Sequence, residues 1–380
     1  MIAGLTPRKV VESSRVDACV VGIGRLGLAF ALTLERSGLS VIGCDVNQDY
    51  IQSLNDKTYE TSEPHVTESL KTCKNFYATT DIKAAARRAD VVFILVATPT
   101  DGADQYYDHT TLSHVLFTLG KSIPKSTPII INSTVYPGYI RNVATTLVAN
   151  PISYNPAFVA QGDVMEGYKT GGWFGMVLIG EANPLIGHTL ERIYRKISPD
   201  AKICRMTPES AEICKLASNC FRTMKIAFAN AIGDIADATP GACKTEITEA
   251  LKQDKSIGSI CMTPGYAYGG PCYPRDNKAM AQYARQIGAH AGLFAATDES
   301  NEAHTDRMAN ELMQIHKKKY IFSDVAYKPK CAVPMIDHSA KLAIAARLAR
   351  AGRRVVIKDR VPLVHEVMKK FGSLFEYILL

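Results

Sequence analysis

The stretch Cys19-Val20-Val21-Gly22-Ile23-Gly24-Arg25-Leu26-Gly27 decides the fold of the N-terminal part of this chain. A short apolar run leads into three glycines, and an Ala/Leu-rich helical pattern follows to about Ser37. A second apolar run, over 40–44, then ends at Asp45. A strand, a glycine-rich turn, a helix and a strand that ends in an acid make up a βαβ unit of the kind that binds dinucleotides.

Each glycine of the turn has its own function. Gly22 permits the tight turn, Gly24 lets a pyrophosphate approach the backbone, and Gly27 allows the helix to pack closely on the strand. The helix N-terminus then attracts the phosphate charge, and Arg25 either assists it or is solvated. Asp45 lies at roughly the 20-residue offset expected of an acid that binds ribose hydroxyls and repels a 2′-phosphate. The motif therefore predicts NAD rather than NADP as the cofactor.

Helical and buried-strand patterns keep alternating beyond Asp45. The sequence predicts helices over 48–55 and 111–119 and strands over 91–97 and 128–132. Alternation of this kind implies a parallel sheet covered by helices on both faces.

A long helical pattern follows, from Pro208 to about Thr239, and no glycine interrupts it before Gly233. Its length favours a link between domains or a dimer seam, although a simple core helix explains the length equally well. The pattern is irregular over 263–276 and returns to strand, helix and strand over 320–359. We therefore predict an α/β fold with two Rossmann-like doubly wound parallel-sheet domains joined by a long central helix.

Composition narrows the classes of protein. The 380 residues are 47% hydrophobic and 21% charged, which excludes a disordered chain. The net charge of +7 is spread thinly and suits anionic small molecules rather than nucleic acid. No apolar stretch approaches the roughly 18 residues of a membrane span, and residues 1–16 lack the apolar core of a signal peptide.

The ten cysteines include no CxxC pair and no cluster with zinc spacing. We therefore expect free thiols in a reducing compartment, the cytoplasm, and no metal site. His109 and His114 are spaced for one helical face but have no third ligand nearby, so we expect both to be exposed.

A second candidate site is the segment Pro264-Gly265-Tyr266-Ala267-Tyr268-Gly269-Gly270-Pro271-Cys272-Tyr273-Pro274-Arg275-Asp276. Adjacent glycines allow a substrate to approach the backbone, and Cys272 precedes a helix. The positive helix start and Arg275 favour the thiolate, which is the nucleophilic form. Asp276, one helical turn beyond, would hold a water or act as a base. On local chemistry alone, a structural Cys272 remains an alternative.

A third candidate lies on the long helix. Lys215 and Asn219 are spaced i, i+4 and so share one helical face. An ammonium and an amide in one pocket would stabilise a developing alkoxide or a tetrahedral intermediate. Taken alone, Lys215 is better explained by a solvated surface lysine.

Together these motifs resemble the nucleotide-sugar 6-dehydrogenase family, which includes UDP-glucose, GDP-mannose and UDP-N-acetylhexosamine dehydrogenases, and the chain looks most like a UDP-glucose 6-dehydrogenase. The resemblance covers nearly the whole chain, and the cysteine loop is its most specific part. The stretches that carry it, in chain order, are Gly22 to Gly27 with Asp45, Glu63-Pro64, Thr80-Asp81, Ala89-Asp90, Thr98-Pro99, Ser133-Thr134-Val135-Tyr136-Pro137-Gly138, Asn155-Pro156, Lys215-Leu216 with Asn219, Gly269 to Asp276, and Ala326-Tyr327-Lys328-Pro329.

The resemblance implies two successive NAD-dependent oxidations of a sugar C6 alcohol to a uronic acid, in the supply of polysaccharide precursors. Lys215, Asn219 and a water fixed by Thr134 and Asp276 would stabilise charge in the first step. Cys272 would then form a thiohemiacetal, whose oxidation gives a thioester that water hydrolyses. UDP-glucose is the favoured substrate, with UDP-N-acetylhexosamine or GDP-mannose as alternatives.

The resemblance also assigns domains and sites. It implies an NAD-binding domain over 1–205, a helical dimerisation domain with the cysteine loop over 206–305 and an abbreviated nucleotide-sugar (UDP)-binding domain over 306–380, in a homodimer built on the central helix. The predicted catalytic residues are Cys272, Lys215, Asn219, Asp276 and Thr134. The predicted cofactor-binding residues are Gly22, Gly24, Arg25, Leu26, Gly27, Asp45, Thr98, Pro99, Thr134 and Arg275, and the predicted substrate-binding residues are Lys215, Asn219, Tyr266, Tyr268, Gly269 and Lys328.

Several positions depart from the family pattern. Ala157 and Gln161 replace two carboxylates, one of them the expected base for thioester hydrolysis, and Ser256 replaces an arginine that contacts the sugar across the dimer. Asp163 or Glu166 is a possible substitute for the base. An arginine expected soon after Lys328-Pro329 is also absent.

Two other functions remain compatible with the sequence. One is a non-catalytic homologue that binds NAD and a nucleotide sugar, because the usual carboxylates are missing. The other is a two-electron hydroxyacid or polyol dehydrogenase that uses Lys215 and ignores the thiol of Cys272.

Overall fold

The computed structural model describes residues 15–100, 107–172 and 175–380. The chain divides into two compact units, Met1–Lys215 and Leu216–Leu380, called unit 1 and unit 2 below. Residues 1–14 lie outside the described residues. They make up most of the stretch 1–16, in which we expect no signal peptide.

Unit 1 is built on one large sheet. Among its described residues, eight strands run in the order β3-β2-β1-β4-β5-β6-β7-β8, and neighbours pair in parallel except β6 with β7. The reversal of strand order between β1 and β4 is the switch point at which doubly wound sheets bind ligands. The strands are β1 (Val16–Val21), β2 (Val41–Cys44), β3 (Phe76–Thr79), β4 (Ala89–Ile94), β5 (Ile129–Ile131), β6 (Ile152–Tyr154), β7 (Met176–Gly180) and β8 (Lys202–Met206).

Helices connect these strands and cover both faces of the sheet. Side-chain caps begin several of them: Asn47, Asp81 and Asn183 each accept a backbone N–H of the first turn. The helices are α1 (Arg25–Arg36), α2 (Gln48–Asn55), α3 (Val66–Thr72), α4 (Ile82–Arg87), α5 (Thr110–Gly120), a π-helix (Ile140–Ala144), α6 (Thr145–Leu147), α7 (Val164–Thr170) and α8 (Pro184–Ile197).

Two apolar cores lie on opposite faces of the sheet. Val20 of β1 belongs to the core under α1, α7 and α8, and its neighbour Val21 belongs to the core under α4 and α5. Strands buried on both faces explain the continuous apolar runs of the sequence.

The predicted long helix is α9 (Pro208–Ala238), close to the expected 208–239. It is continuous across the boundary between the two units. The prediction of an α/β fold with parallel sheets and a long central helix is therefore confirmed.

Unit 2 contains helices and a second parallel sheet. Among its described residues, three strands run in the order β11-β10-β9. Its elements are α10 (Lys244–Gln253), α11 (Tyr273–Gln286), α12 (Gly292–Gln314), β9 (Tyr320–Phe322), α13 (Ala340–Arg350), β10 (Val355–Asp359), α14 (Val361–Phe371), a short 3-10 helix (Gly372–Leu374) and β11 (Glu376–Leu379).

No helix in the described ranges is long and apolar enough to cross a membrane. Those ranges also contain no group of three or more His, Cys, Asp or Glu side chains arranged to hold a metal ion. All ten cysteines are free thiols.

Candidate active site

The glycine turn of unit 1 has the shape that a dinucleotide requires. Gly22 adopts a φ of +85°, and a Cβ there would lie 2.9 Å from the backbone of Leu95. A Cβ at Gly27 would lie 1.9 Å from the carbonyl oxygen of Gly22, so the helix is packed directly on the turn. At Gly24, by contrast, an added Cβ would meet no atom of the described residues within 4 Å. The backbone at the start of α1 is therefore open to a pyrophosphate, and these residues fit NAD.

Asp45 follows the last residue of β2 and is half-buried. Its Oδ1 accepts the N–H of Asn47 at 3.3 Å, which fixes the carboxylate at the strand end. The carboxylate is placed at the sheet edge where the fingerprint expects an acceptor for ribose hydroxyls.

The carboxyl ends of β4 and β5 meet next to this turn. The hydroxyl of Thr98 donates to the carbonyl oxygen of Thr134 at 2.8 Å, and Ser133 donates to the carbonyl of Val96 at 2.7 Å. Pro99 is exposed beside Thr98. The structure thus brings together, at one edge of the sheet, the predicted cofactor residues of unit 1.

A buried carboxylate and a partly buried imidazole hold the loop that follows Thr134. The carboxylate of Glu212, on α9, accepts the N–H of Gly138 at 2.6 Å and that of Ile140 at 2.9 Å. Burial raises the pKa of Glu212 to about 7. The Nε2 atom of His109 accepts the N–H of Tyr136 at 3.2 Å.

The environment of His109 corrects our expectation of an exposed ring. His114 is exposed, but His109 is partly buried and stacks on Tyr139 with ring centroids 4.2 Å apart. Burial lowers the pKa of His109 to about 4, so the ring is neutral and free to accept. Sequence spacing alone gave no sign of this stacking partner.

Lys215 is buried rather than solvated, with a side chain turned into unit 1. Its Nζ donates to the carbonyl oxygen of Ala157 at 2.7 Å and lies 4.4 Å from the centroid of the Phe158 ring. The alternative of a surface lysine is therefore wrong. The ammonium contacts the segment in which Ala157 replaces a family carboxylate.

The same segment reaches the glycine turn. The side-chain oxygen of Gln161 accepts from Nη1 of Arg25 at 3.1 Å. Next to it, the buried carboxylate of Glu63 accepts the N–H groups of Gly162 and Val164, each at 2.8 Å. Glu63 thereby holds the start of α7, a role that the sequence analysis missed.

In unit 2, Asn219 and Asp276 are in direct contact. Both are buried, and Nδ2 of Asn219 donates to Oδ2 of Asp276 at 2.7 Å. The Nε of Arg275 lies 3.4 Å from the other carboxylate oxygen. Asp276 is thus fixed in the first turn of α11 by a side chain of α9.

Cys272 is the residue immediately before α11 and is exposed. Its Sγ lies 4.0 Å from Nη2 of Arg275. The thiol therefore lies at the N-terminal end of a helix and beside a guanidinium, which is the setting that the sequence predicts for a nucleophilic cysteine.

The loop before Cys272 is held closely by the rest of unit 2. A Cβ at Gly269 would lie 1.9 Å from the carbonyl oxygen of His338, and one at Gly270 would lie 2.7 Å from the ring of Tyr327. Lys328 is half-buried, with Nζ 5.7 Å from the centroid of the Tyr327 ring. Gly269 is thus packed against His338, whereas Lys328 lies beside the Tyr327 ring that packs on Gly270.

The two tyrosines predicted to bind substrate differ in environment. Tyr266 is 47% exposed, and Lys341 lies above its ring with Nζ 5.6 Å from the centroid. Tyr268 is buried, and its hydroxyl donates to Asp298 and accepts from Nδ2 of Asn277 at 3.0 Å. Tyr266 is therefore the more accessible of the two, and substrate binding by both stays a prediction.

The fold and the glycine turn define a dinucleotide-binding α/β protein, and comparison with known proteins identifies its family. The model of the UDP-glucose/GDP-mannose dehydrogenase family, NAD binding domain, matches residues 16–198, and the central domain of that family matches residues 209–303.

Individual relatives agree with the family models. GDP-mannose 6-dehydrogenase of Pseudomonas aeruginosa is 30% identical over 377 residues, which cover 94% of this chain and 84% of that protein. A putative UDP-glucose 6-dehydrogenase of Bacillus subtilis is 26% identical, covering 93% and 83%. A UDP-glucose dehydrogenase from Pyrobaculum islandicum has a similar structure, with a TM-score of 0.86, 25% identity, and coverage of 99% of this chain and 88% of that one.

The chain belongs to the UDP-glucose/GDP-mannose dehydrogenase family, and its N-terminal part is an NAD-binding domain. The predicted family and cofactor are confirmed. The predicted three-domain boundaries and the role of each site residue stay predictions.

Proposed function

We propose that this chain oxidises the C6 hydroxyl of a nucleotide sugar to a carboxylate in two NAD-dependent steps, with Cys272 as the nucleophile. The observation that carries the proposal is the exposed thiol at the start of α11, 4.0 Å from Arg275 and one turn from the Asn219–Asp276 pair. A cysteine with only a structural role would not require an exposed position at a helix start beside an arginine.

The first step converts the alcohol to an aldehyde. The glycine turn and Asp45 would hold NAD, which would supply the hydride acceptor for each oxidation. Lys215 and Asn219, one turn apart on α9, stabilise the alkoxide as its proton leaves. The proton passes to water, which Asp276 is placed to accept from or hold in unit 2.

The second step needs the thiol, because a bare aldehyde has no alkoxide from which hydride can leave. The sulfur of Cys272 adds to the carbonyl carbon and forms a thiohemiacetal. Loss of hydride from that carbon gives a thioester, and water then releases the uronic acid and regenerates the thiol.

Hydrolysis requires a proton acceptor, and we propose Asp163 or Glu166 for it. Asp163 is exposed immediately before α7. Glu166 is paired with Lys169 at 3.2 Å, which makes Asp163 the less restrained carboxylate. Loss of the base should trap the thioester, visible as the added mass of the nucleotide-linked uronyl group on the intact protein in Asp163→Asn or Glu166→Gln.

The first sugar to test is UDP-glucose, supported by the structural likeness to the UDP-glucose dehydrogenase. GDP-mannose is the second, since the relative at 30% identity is a GDP-mannose 6-dehydrogenase. UDP-N-acetylhexosamines complete the panel. NADH absorbance and mass spectrometry of the uronate follow the reaction, and we expect two NADH per sugar.

Cys272→Ser separates the mechanisms. We expect it to abolish uronate formation, whereas a two-electron dehydrogenase that ignores the thiol would keep its full turnover. Folded wild-type protein that binds NAD and a sugar nucleotide but forms no NADH would instead support the non-catalytic homologue.

We also propose a homodimer that forms through α9. Large apolar side chains of this helix, Phe221, Phe228 and Ile235, are exposed at seven-residue intervals, as in a helix seam. Ten free thiols suit a reducing compartment, so the cytoplasm is the proposed location.

A further inference from the structure

The backbone of the cysteine loop is held by side chains of two helices of unit 2. Asn230 of α9 accepts the N–H of Gly265 at 2.8 Å. Asn301 of α12 accepts the N–H of Tyr268 at 2.8 Å and donates to its carbonyl at 3.1 Å. His304, one turn further on α12, has Nε2 2.7 Å from the carbonyl oxygen of Gly265. Both backbone groups of Gly265 and of Tyr268 are therefore fixed.

The contacts of His304 place a condition on its charge. Its Nδ1 lies 2.9 Å from the carboxylate of Asp234 on α9, and its Nε2 faces the carbonyl of Gly265. Both partners accept hydrogen bonds, so both ring nitrogens must donate. A neutral imidazole carries one N–H, and the imidazolium carries two. Only the charged ring satisfies both contacts.

The surrounding charges agree with this state. Arg307 pairs with Asp234 and, at 2.9 Å, with Glu311. The side chain of His304 is 9% exposed, so little water is available to replace a lost partner. Further charged groups on the elements around α12 are Lys278 of α11, which acts on Asp298, and Arg347 of α13, which pairs with Glu302 and Asp306.

We propose that His304 is a positioning residue whose imidazolium form fastens the loop that bears Cys272 to α9. When the ring loses its proton, one of the two contacts becomes a lone pair facing an acceptor, and the loop is released at Gly265. An effect of His304 on catalysis rests on the proposed function, in which Cys272 is the nucleophile. The pH-dependent contact between His304 and the loop does not depend on that function.

Hydrogen–deuterium exchange on the full chain tests the fastening without any substrate. The measured quantity is the protection of peptides over 264–270, corrected for intrinsic exchange, from about pH 6 to about pH 9, a range that spans histidine titration. We expect wild-type protection to fall about tenfold as pH rises, the size expected for loss of a charge-assisted hydrogen bond.

Asp234→Asn is the decisive variant. The amide of Asn donates to Nδ1, so a neutral His304 keeps both contacts, and protection should become independent of pH. Arg307 retains Glu311 in this variant. His316→Gln, at an exposed histidine beyond the end of α12, is the matched control and should follow the wild type.

His304→Ala should show low protection at every pH, while peptides of β10 stay protected if unit 2 is folded. If His304→Ala does not fold, the comparison of wild type with Asp234→Asn still decides. Wild-type protection that does not change with pH, or an Asp234→Asn profile parallel to it, overturns the proposal.

An activity arm distinguishes the two proposals. If the fastening holds but no nucleotide sugar yields NADH, the proposed function fails and this inference stands. If the chain forms NADH from a nucleotide sugar and the exchange protection of residues 264–270 does not change with pH, only this inference fails.

Discussion

Two glycines three residues apart in one turn face opposite surroundings. Gly27 has the carbonyl oxygen of Gly22 1.9 Å from where its Cβ would be, whereas Gly24 faces open space among the described residues. Gly27 therefore serves the packing of α1, and we predict that Gly24 serves the ligand.

Gly24→Val should weaken NAD binding about tenfold or more, because the added side chain occupies the approach to the helix N-terminus. Its thermal midpoint should stay close to that of the wild type. Calorimetric titration with NAD and thermal unfolding measure the two effects. Gly27→Ala is the contrasting variant and should lose about 3 kcal/mol of stability through overpacking. Equal loss of stability in both variants would contradict this division of roles.

Glu212 should make stability depend on pH in a definite direction. Burial raises the pKa of Glu212 from 4.5 to about 7, so the folded state holds a proton that the unfolded chain releases earlier. The raised pKa of Glu212 contributes about 3 kcal/mol to the free energy of unfolding. This contribution is fully present below pH 4.5 and is lost as the pH rises through 7.

Glu212→Gln removes this titration. Its thermal midpoint, followed by circular dichroism at several pH values, should change less between pH 4.5 and 7 than that of the wild type. The variant should also be less stable at low pH, since a glutamine oxygen can accept from only one of the N–H groups of Gly138 and Ile140 at full strength. Identical pH slopes would show that Glu212 is not the group responsible.

The sequence predicted those features whose structure follows from local spacing. The glycine turn and the placement of Asp45 after β2 were predictable because one local motif fixes them. Glu212 and His304 were not, because their partners, Gly138 and Gly265, are remote in sequence and supply only backbone groups.

At the level of elements, the chain uses the same pattern twice with different results. Each unit contains a βαβ segment whose second strand leads to an aspartate. In unit 1, Asp45 directly follows β2, and in unit 2, Asp359 is the last residue of β10. Asp45 is half-buried at the sheet edge. Asp359 is 7% exposed, and its oxygens accept the N–H groups of Val325 and Arg360 at 2.9 Å and 2.8 Å. The second aspartate holds a loop in place.

These two acids should respond differently to the same substitution. Asp45→Ser should raise the affinity for NADP relative to NAD about tenfold, because the charge that repels a 2′-phosphate is gone. Asp359→Ser should leave the NAD/NADP ratio unchanged and lower the thermal midpoint. Affinities for both cofactors, measured by titration on each variant, check the prediction, and a shifted ratio in Asp359→Ser would refute it.

The ends of helices and strands were predictable from the sequence where burial is continuous. The prediction of those ends failed where a loop is held by groups that are distant in sequence. Helix α2 begins and ends at the expected residues, and α9 differs by one. The strand pattern that begins at residue 320 gives a strand of only three residues, because Asp324 adopts a positive φ and the chain turns toward Asp359. The C-terminal segment beyond residue 359, for which the sequence predicts no strand, forms β11 beside β10.

At the scale of the whole molecule, the exposed apolar face of α9 is the feature that favours assembly into a dimer. Phe221 is 60% exposed and Ile235 62%, which is unfavourable for a free helix in water. Phe221→Glu should shift the proposed dimer to monomer at micromolar concentration, because it places a charge in the seam. Sedimentation equilibrium measures the mass.

Leu185→Glu is the matched control for this change. Leu185 is 76% exposed on α8 and lies outside the proposed seam, so its variant should keep the mass of the wild type. A monomeric wild type, or dissociation by Leu185→Glu alone, would argue against assembly through α9.

The close fit of Gly269 and Gly270 against residues 327–338 limits how new specificity can arise in this scaffold. With the carbonyl of His338 and the ring of Tyr327 filling the space where side chains would stand, neither segment can change length or bulk alone. Directed evolution toward another sugar should therefore diversify both segments in one library, since single-segment libraries would consist mostly of misfolded clones.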